Sequence, residues 1–177
     1  MRLLTVKRAA PLLAGALCGG ALFSMGAQAQ AVGSATGLQV PRYVSLRSDR
    51  VNLREGPSKD NRTRWVFQRA GLPVEITAEF ETWRKIRDSE GTEGWVLHSL
   101  LSGRRTALIA PWKKTEAAFK LFDKPNETAA PSANLQPGVI ANVKSCDGGW
   151  CRIFGPGFEG YMQQANLWGA YPGEKVE

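Results

Sequence analysis

Few residues in this chain have the types and spacing needed for covalent or metal chemistry. Cys146 and Cys151 flank the run Asp-Gly-Gly-Trp, and His98 is the single histidine among 177 residues. A cysteine beside a histidine could act as a nucleophile, whereas two cysteines and one histidine would make an incomplete zinc site. Asp-Gly-Gly also favours a tight hairpin, which would bring the two cysteines within bridging reach. The sequence favours a structural disulfide and leaves a free thiol pair, or a catalytic or metal-binding role, open.

The carboxylates and glycines give no further sign of catalysis. Glu79, Glu81, Glu90 and Glu93 lie in or near predicted turns, where acidic side chains are usually solvated. The glycines punctuate hairpins and do not form a phosphate-binding loop. No serine stands in the context of a nucleophile elbow. We therefore expect no catalytic residue, no metal site and no cofactor.

An internal repeat indicates where these residues lie. Residues 83–101, WRKIRDSEGTEGWVLHSLL, return in weaker form at 150–168 as WCRIFGPGFEGYMQQANLW. In each copy a tryptophan opens a short strand, a glycine-rich turn follows, and Glu-Gly plus an aromatic residue opens a second strand. Upstream, VNLREGPSK at 51–59 is echoed by FKLFDKPNE at 119–127. Two copies are too few for a solenoid and predict two small domains in tandem.

The first copy has the pattern of a small all-β barrel. Its predicted strands are 51–55, 65–67, 74–79, 83–88 and 94–97. Five short strands within about 50 residues favour a barrel over a sandwich. The stretch 107–112 between the copies is open to two interpretations, a strand or a linker.

A pair of aromatic residues in each copy is predicted to face away from the barrel interior. Successive side chains of a strand alternate between faces, so Ile86 and Val96 in the core would place Trp83 and Trp95 outside it. In the second copy the same alternation places Trp150 and Tyr161 outside the core and Ile153 and Met162 inside it. Exposed aromatic patches suit ligands, but such rings also cover barrel ends or pack one domain on another. Both interpretations stay open.

A second candidate surface combines Trp65 and Phe67 with Arg62 and Arg64. Arginine beside aromatic rings suits carboxylates and peptides, although charged runs are more often simply solvated. Both candidate surfaces are richer in the first copy. If one copy binds a ligand, we expect it to be the first.

Residues 1–29 have the pattern of a cleaved signal peptide. Three basic residues precede the apolar run 11–25, and Ala-Gln-Ala ending at Ala29 matches a cleavage site. The run is shorter than the roughly 20 residues of a membrane span. We expect a periplasmic or secreted protein without an integral span. Cleavage lowers the formal net charge from +7 to +4, which is mild for a nucleic-acid binder.

Four stretches of the first copy resemble the bacterial SH3-like (SH3b) family of exported proteins, in particular its two-copy alphaproteobacterial branch. They are VNLREGPS, GLPVEI, WRKIRDSEGTEGWV and HSLLSGRR. The resemblance covers residues 44–168 and is degenerate in the second copy, where Gly-Trp-Val becomes Gly-Tyr-Met. It implies five-stranded SH3-like barrels and, for many members, binding to peptidoglycan or short peptides.

The expected organisation is all-β, with two tandem SH3-like barrels after the cleaved signal peptide. Its parts are a signal peptide (1–29), a flexible leader (30–42), a first barrel (43–105), a connector (106–117), a degenerate second barrel (118–170) and a tail (171–177).

We expect a non-enzymatic exported binding module that recognises peptidoglycan or a peptide of an envelope protein, with no nucleic-acid partner. One alternative is a structural accessory subunit of an envelope assembly. A lesser alternative is a small hydrolase or redox protein that uses His98 or the cysteines.

Overall fold

The computed structural model describes residues 31–115 and 118–177, whose regular secondary structure consists of β-strands and two short 3₁₀ turns. The predicted signal peptide, 1–29, lies outside these residues. The strands in chain order are β1 (Ala31–Val32), β2 (Gln39–Val40), β3 (Arg42–Leu46), β4 (Val51–Arg54), β5 (Thr63–Phe67), β6 (Pro73–Phe80), β7 (Trp83–Arg87), β8 (Glu93–Leu97), β9 (Leu101–Ser102), β10 (Thr106–Ile109), β11 (Phe119–Phe122), β12 (Pro131–Leu135), β13 (Ile140–Asp147), β14 (Trp150–Gly155), β15 (Phe158–Gln163), β16 (Leu167–Trp168) and β17 (Lys175–Val176). Two 3₁₀ turns, His98–Leu100 and Gln164–Asn166, lead into β9 and β16.

The strands form two curled antiparallel sheets with the same internal order. The first sheet runs β5-β4-β8-β7-β6-β3-β9, and the second runs β12-β11-β15-β14-β13-β10-β16. Each strand of the first sheet therefore has its counterpart seven strands later. Each sheet encloses its own apolar core. The predicted all-β fold with two repeated barrels is confirmed.

The Glu-Gly-aromatic motif of the repeat has a packing reason. A Cβ atom on Gly94 would lie 2.6 Å from Leu53 Cγ and 2.8 Å from the carbonyl oxygen of Arg54. A Cβ atom on Gly160 would lie 2.6 Å from the carbonyl oxygen of Phe122. In both barrels a neighbouring strand crosses this position too closely for any side chain, so glycine is required.

Strand β3, which the sequence pattern did not predict, pairs with β6 and β9 and is the second-to-last strand of the first sheet. Leu46 belongs to the core of the first barrel. On the other face, Tyr43 is buried against Trp168, with ring centroids 5.2 Å apart. A strand covered on both faces lacks the apolar–polar alternation that marks a half-buried strand.

The stretch 107–112 is a strand in its first half. Residues 107–109 lie in β10, which pairs with β13 and β16 of the second sheet. Ala107 and Ile109 enter the second core. The Thr106 hydroxyl donates to the carbonyl oxygen of Gly71, 2.7 Å away in the first barrel. The expected connector, 106–117, thus begins inside the second sheet.

The segment expected to be a flexible leader is tied to the first barrel through Glu79. Strands β1 and β2 form a small hairpin, and the Glu79 carboxylate accepts bonds from the amides of Ala35 and Thr36 at 3.0 and 2.9 Å. Glu79 also accepts from Arg42 Nη2 at 2.6 Å, and its side chain is fully buried. The expectation that Glu79 is solvated is wrong, because its partners come from a segment about 43 residues away in sequence.

The tail is also part of the fold. Strand β17 pairs with Cys146 and Asp147 of β13. Arg105 holds Glu174 through both carboxylate oxygens, at 2.8 and 3.0 Å. Within the described ranges, no helix has the length and apolar character of a membrane span.

Candidate functional site

A concave site, the inter-barrel cleft, lies between the two barrels and has a volume of about 670 Å³. From the first barrel it is lined by β5, by the start of β6 and by the β7–β8 turn. From the second barrel it is lined by β10, by the segment that follows β10 and by the turn between β12 and β13. Its principal lining residues are Trp65, Phe67, Arg69, Leu72, Glu90, Leu108, Pro111, Lys114 and Pro137. A volume of this size accommodates a few residues of an extended ligand.

Trp65 gives this inter-barrel cleft its main exposed apolar surface. It stands opposite Leu53 in the β4–β5 register and so lies on the core-facing side of β5. Leu53 is fully buried, yet Trp65 is 56% exposed. The difference arises because β5 is the last strand of its sheet, with no further strand beside it. Trp65 therefore extends the apolar core of the first barrel outward into the cleft.

Charged side chains bridge the cleft between the barrels. Lys114 Nζ donates to Glu90 Oε1 at 2.6 Å, and both side chains are exposed. This hydrogen bond holds the pKa of Glu90 below its ordinary value and raises the pKa of Lys114. Arg69 reaches the carbonyl oxygen of Gly138 at 3.4 Å. The cleft thus offers an apolar floor with charges of both signs around it.

The two outward-facing tryptophans of the first copy differ in exposure. Trp83 pairs with Leu97 and Trp95 pairs with Lys85, whereas Ile86 and Val96 enter the core. The predicted faces are correct. Trp83, however, is only 7% exposed, although it lies on the outer face, where it lines a concave site together with Leu97 and Leu100. Trp95 is half-buried beside Arg54 and Lys85.

The second copy places its aromatic pair in the same way. Trp150 pairs with Gln163 and Tyr161 pairs with Arg152, on the outer face of the second barrel. Ile153 and Met162 are buried in the core, as their alternation predicts. Phe122 packs edge-on against Trp150, with ring centroids 5.8 Å apart. Neither Trp150 nor Tyr161 lines the inter-barrel cleft.

The surface expected from Arg62, Arg64, Trp65 and Phe67 is divided in the structure. Trp65 and Phe67 line the inter-barrel cleft. Arg62 instead pairs with Glu55 at 2.6 Å on the surface loop. Arg64 is exposed and falls at the register shift between β4 and β5. The aromatic half of the predicted surface therefore meets the second barrel, and the arginines do not.

The predicted disulfide is confirmed. Cys146 and Cys151 are bonded, and they stand opposite each other across the Asp147-Gly148-Gly149 turn of the β13–β14 hairpin. Asp147 Oδ1 accepts bonds from the amides of Gly149 and Trp150, both at 2.8 Å. A bridged cysteine has no thiolate to act as a nucleophile or ligand. His98 is exposed, and no three His, Cys, Asp or Glu side chains within residues 31–115 and 118–177 group as metal ligands.

Sequence reasoning missed the part of the cleft that the second barrel supplies. Pro111, Lys114 and Pro137 come from turns whose residues signal only a change of chain direction. Leu108 lies in the stretch 107–112, for which the sequence allows either a strand or a linker. No local pattern could have placed these residues opposite Trp65, because their positions depend on how the barrels dock.

A sequence profile described as the bacterial SH3 domain matches residues 47–103 and 115–169. The protein therefore belongs to the bacterial SH3 domain family and carries two copies of the domain. Domains of this family are binding modules. No curated protein has significant sequence similarity to the chain.

Among solved structures, the chain is similar to NlpC1 and NlpC2 from Trichomonas vaginalis and to an NlpC/P60 family protein from Bacillus cereus ATCC 10987. Identities are 13%, 12% and 11%, with TM-scores of 0.33, 0.32 and 0.31. The matches cover 77%, 72% and 71% of this chain, and 48%, 48% and 55% of those chains. This chain thus spans about half the length of each, and at such TM-scores no function is transferred from them.

Proposed function

We propose that the protein is an exported, non-enzymatic binding module whose inter-barrel cleft takes a short extended peptide. The peptide belongs either to peptidoglycan or to an envelope protein, and the chemistry of recognition is the same in both. The exposed ring of Trp65 holds an apolar side chain of the peptide, and the surrounding charges hold a carboxylate or an ammonium group.

The observation that carries this proposal is the exposure of the Trp65 ring in the cleft. A large aromatic ring that is 56% exposed at the mouth of a cleft is a typical anchor for a ligand. It stands on an edge strand, to which an extended peptide can add main-chain hydrogen bonds. Phe67, Leu72 and Pro137 continue the apolar surface across to the second barrel.

Two further features support the proposal. The Cys146–Cys151 disulfide suits an oxidising compartment, which agrees with export. Membership of a family of binding domains favours recognition over catalysis. Peptidoglycan and envelope proteins are the peptide sources that an exported bacterial protein meets.

The test is sedimentation of purified protein with intact sacculi, with and without their stem peptides, alongside capture of partners from an envelope extract. We expect Trp65→Ala to weaken binding by about tenfold or more, as for an aromatic anchor that the bound ligand covers. Trp112→Ala is the matched control, because Trp112 is 52% exposed and lies outside the cleft lining.

The outcomes separate the possible ligands. Binding that depends on Trp65 and on stem peptides supports a wall ligand, whereas capture of an envelope protein that depends on Trp65 supports a peptide partner. Equal binding by wild type and Trp65→Ala would remove the cleft as the site. Absence of any ligand or partner would leave the structural accessory subunit as the better explanation.

A further inference from the structure

A second concave site lies on the outer face of the first barrel and shares no lining residue with the inter-barrel cleft. This outer pocket has a volume of about 270 Å³. Its lining residues are Arg50, Asn52, Arg54, Lys59, Trp83, Leu97 and Leu100. Three of the seven are cationic, and none is acidic. The buried ring of Trp83 and the two leucines provide its apolar part.

The cations of the outer pocket keep most of their bonding capacity. Arg54 Nη1 donates to the carbonyl oxygen of Asn61 at 2.7 Å, which uses one of the five N–H donors of a guanidinium group. Among the described residues, Arg50 and Lys59 form no ion pair. The neighbouring acids in sequence, Asp49 and Asp60, bond instead to the hydroxyls of Ser48 and Ser58.

The second barrel shows the same position closed. The strand registers place Phe122 where the first barrel has Arg54, since Arg54 pairs with Trp95 and Phe122 pairs with Tyr161. Phe122 packs on Trp150, the counterpart of Trp83. Gln163 and Glu127, the counterparts of Leu97 and Lys59, are hydrogen-bonded to each other. The second barrel thus fills this site with the ring of Phe122 and the acid Glu127. The first barrel leaves it open and lines it with basic side chains.

We infer that the outer pocket of the first barrel is a binding site for an oxyanion, a carboxylate or phosphate group carried by a ligand. Guanidinium groups match the geometry of these anions, and Lys59 adds a point charge. The amide of Asn52 supplies a neutral donor. The apolar floor of Trp83 and Leu100 lowers the local dielectric constant, which strengthens the charge-assisted bonds. This site is independent of the proposed peptide cleft.

The experiment is a titration of the full protein with sodium phosphate and, separately, sodium acetate, followed by ¹H–¹⁵N NMR at ionic strength matched with sodium chloride. We expect saturable shifts of the Trp83 indole N–H and of the Arg54 Nε–H signals. The anion that binds more tightly, phosphate or acetate, identifies the chemical group of the natural ligand. Phosphate and acetate that cause no more change than chloride would overturn the inference.

Two variants localise the effect. Arg54→Phe copies the residue of the second barrel and should weaken binding by about tenfold or more, because a charge-assisted bond is lost. Arg64→Phe makes the same chemical change at an exposed residue outside the pocket and should bind as wild type does. Should Arg54→Phe fail to fold, the double variant Arg50→Gln, Lys59→Gln changes only exposed side chains and must also weaken binding. Unchanged affinity in either folded variant would refute the site.

Discussion

The hydroxyl group of Tyr171 donates a hydrogen bond of 2.8 Å to Glu75 Oε1, and so joins the C-terminal segment of the second barrel to the longest strand of the first. Arg87 binds the other oxygen of the same carboxylate. The Tyr171 ring lies 4.6 Å from that of Tyr43. Burial, together with the negative charge of Glu75, raises the pKa of both tyrosines. These polar and aromatic contacts join the two barrels.

The two barrels should unfold together. Because Trp168 also donates to the carbonyl oxygen of Pro73 at 3.3 Å, several bonds must break before either barrel separates. We expect one transition in urea when unfolding is followed by tryptophan fluorescence. Tyr171→Phe should lower the free energy of unfolding by about 2 kcal/mol, since a hydrogen bond to a buried carboxylate is lost.

The control for this prediction is Tyr161→Phe, a tyrosine on the outer face of the second barrel that should have little effect. Two separate transitions in the wild-type protein, or equal stability of Tyr171→Phe and wild type, would contradict a coupled interface.

Stability should fall in acid because of Glu79. Burial alone would raise the pKa of this carboxyl group, but hydrogen bonds from Arg42, Thr36 and the amide of Ala35 outweigh it and hold the pKa at about 2. The unfolded chain has an ordinary value near 4.5. The stabilising contribution is therefore complete above pH 4.5 and is lost as the pH falls toward 2. We estimate its size as about 3 kcal/mol.

Denaturation midpoints between pH 7 and pH 2 measure this contribution. Glu79→Gln should lower stability at pH 7 and flatten the acid side of the profile, because an amide cannot accept all the bonds of a carboxylate. Glu90→Gln removes only an exposed pair with Lys114 that solvent screens, so it should change the acid dependence far less than Glu79→Gln does. An acid profile of Glu79→Gln that runs parallel to wild type would show that another group is responsible, such as Glu174, whose pKa is also lowered.

The glycines of the repeated motif should not tolerate alanine. Gly94→Ala must displace the strand that carries Leu53 and Arg54, and Gly160→Ala must displace the strand that carries Phe122. We expect each to cost about 1–3 kcal/mol through overpacking. Gly103→Ala is the control, because no atom lies within 4 Å of its added Cβ. Thermal unfolding measures all three, and neutral effects at positions 94 and 160 would contradict the close strand crossing.

The disulfide should stabilise the second barrel modestly. It closes a short loop, since Cys146 and Cys151 are separated by 5 positions. The chain-entropy estimate for a loop of this size is about 2 kcal/mol. Replacing both cysteines by serine should lower the free energy of unfolding by that amount and leave the fold intact. Dithiothreitol should destabilise the wild type and leave the double-serine variant unchanged. A collapse of the whole fold would indicate a larger role.

Much of the fold follows from short-range patterns. Residues of a strand alternate between faces, so the sequence alone identified Ile86, Val96, Ile153 and Met162 as core residues. The residues Asp147-Gly148-Gly149 predicted a tight hairpin turn, and that turn predicted the disulfide because it brings the two flanking cysteines together. The repeat predicted two small barrels in tandem. Each of these inferences needs only residues near one another in sequence.

What the tertiary structure decided is exposure and contact across long separations. The Thr106–Gly71 bond joins residues 35 positions apart, and the Tyr171–Glu75 bond joins residues 96 positions apart. Alternation assigned Trp83 to an outer face, but only its neighbours determined that it is buried, whereas Trp65 on a core-facing side remains exposed. The burial of Glu79 likewise depends on a distant segment. Sequence pattern fixes the face of a side chain, and the packing of other elements on that face decides whether water or a ligand can reach it.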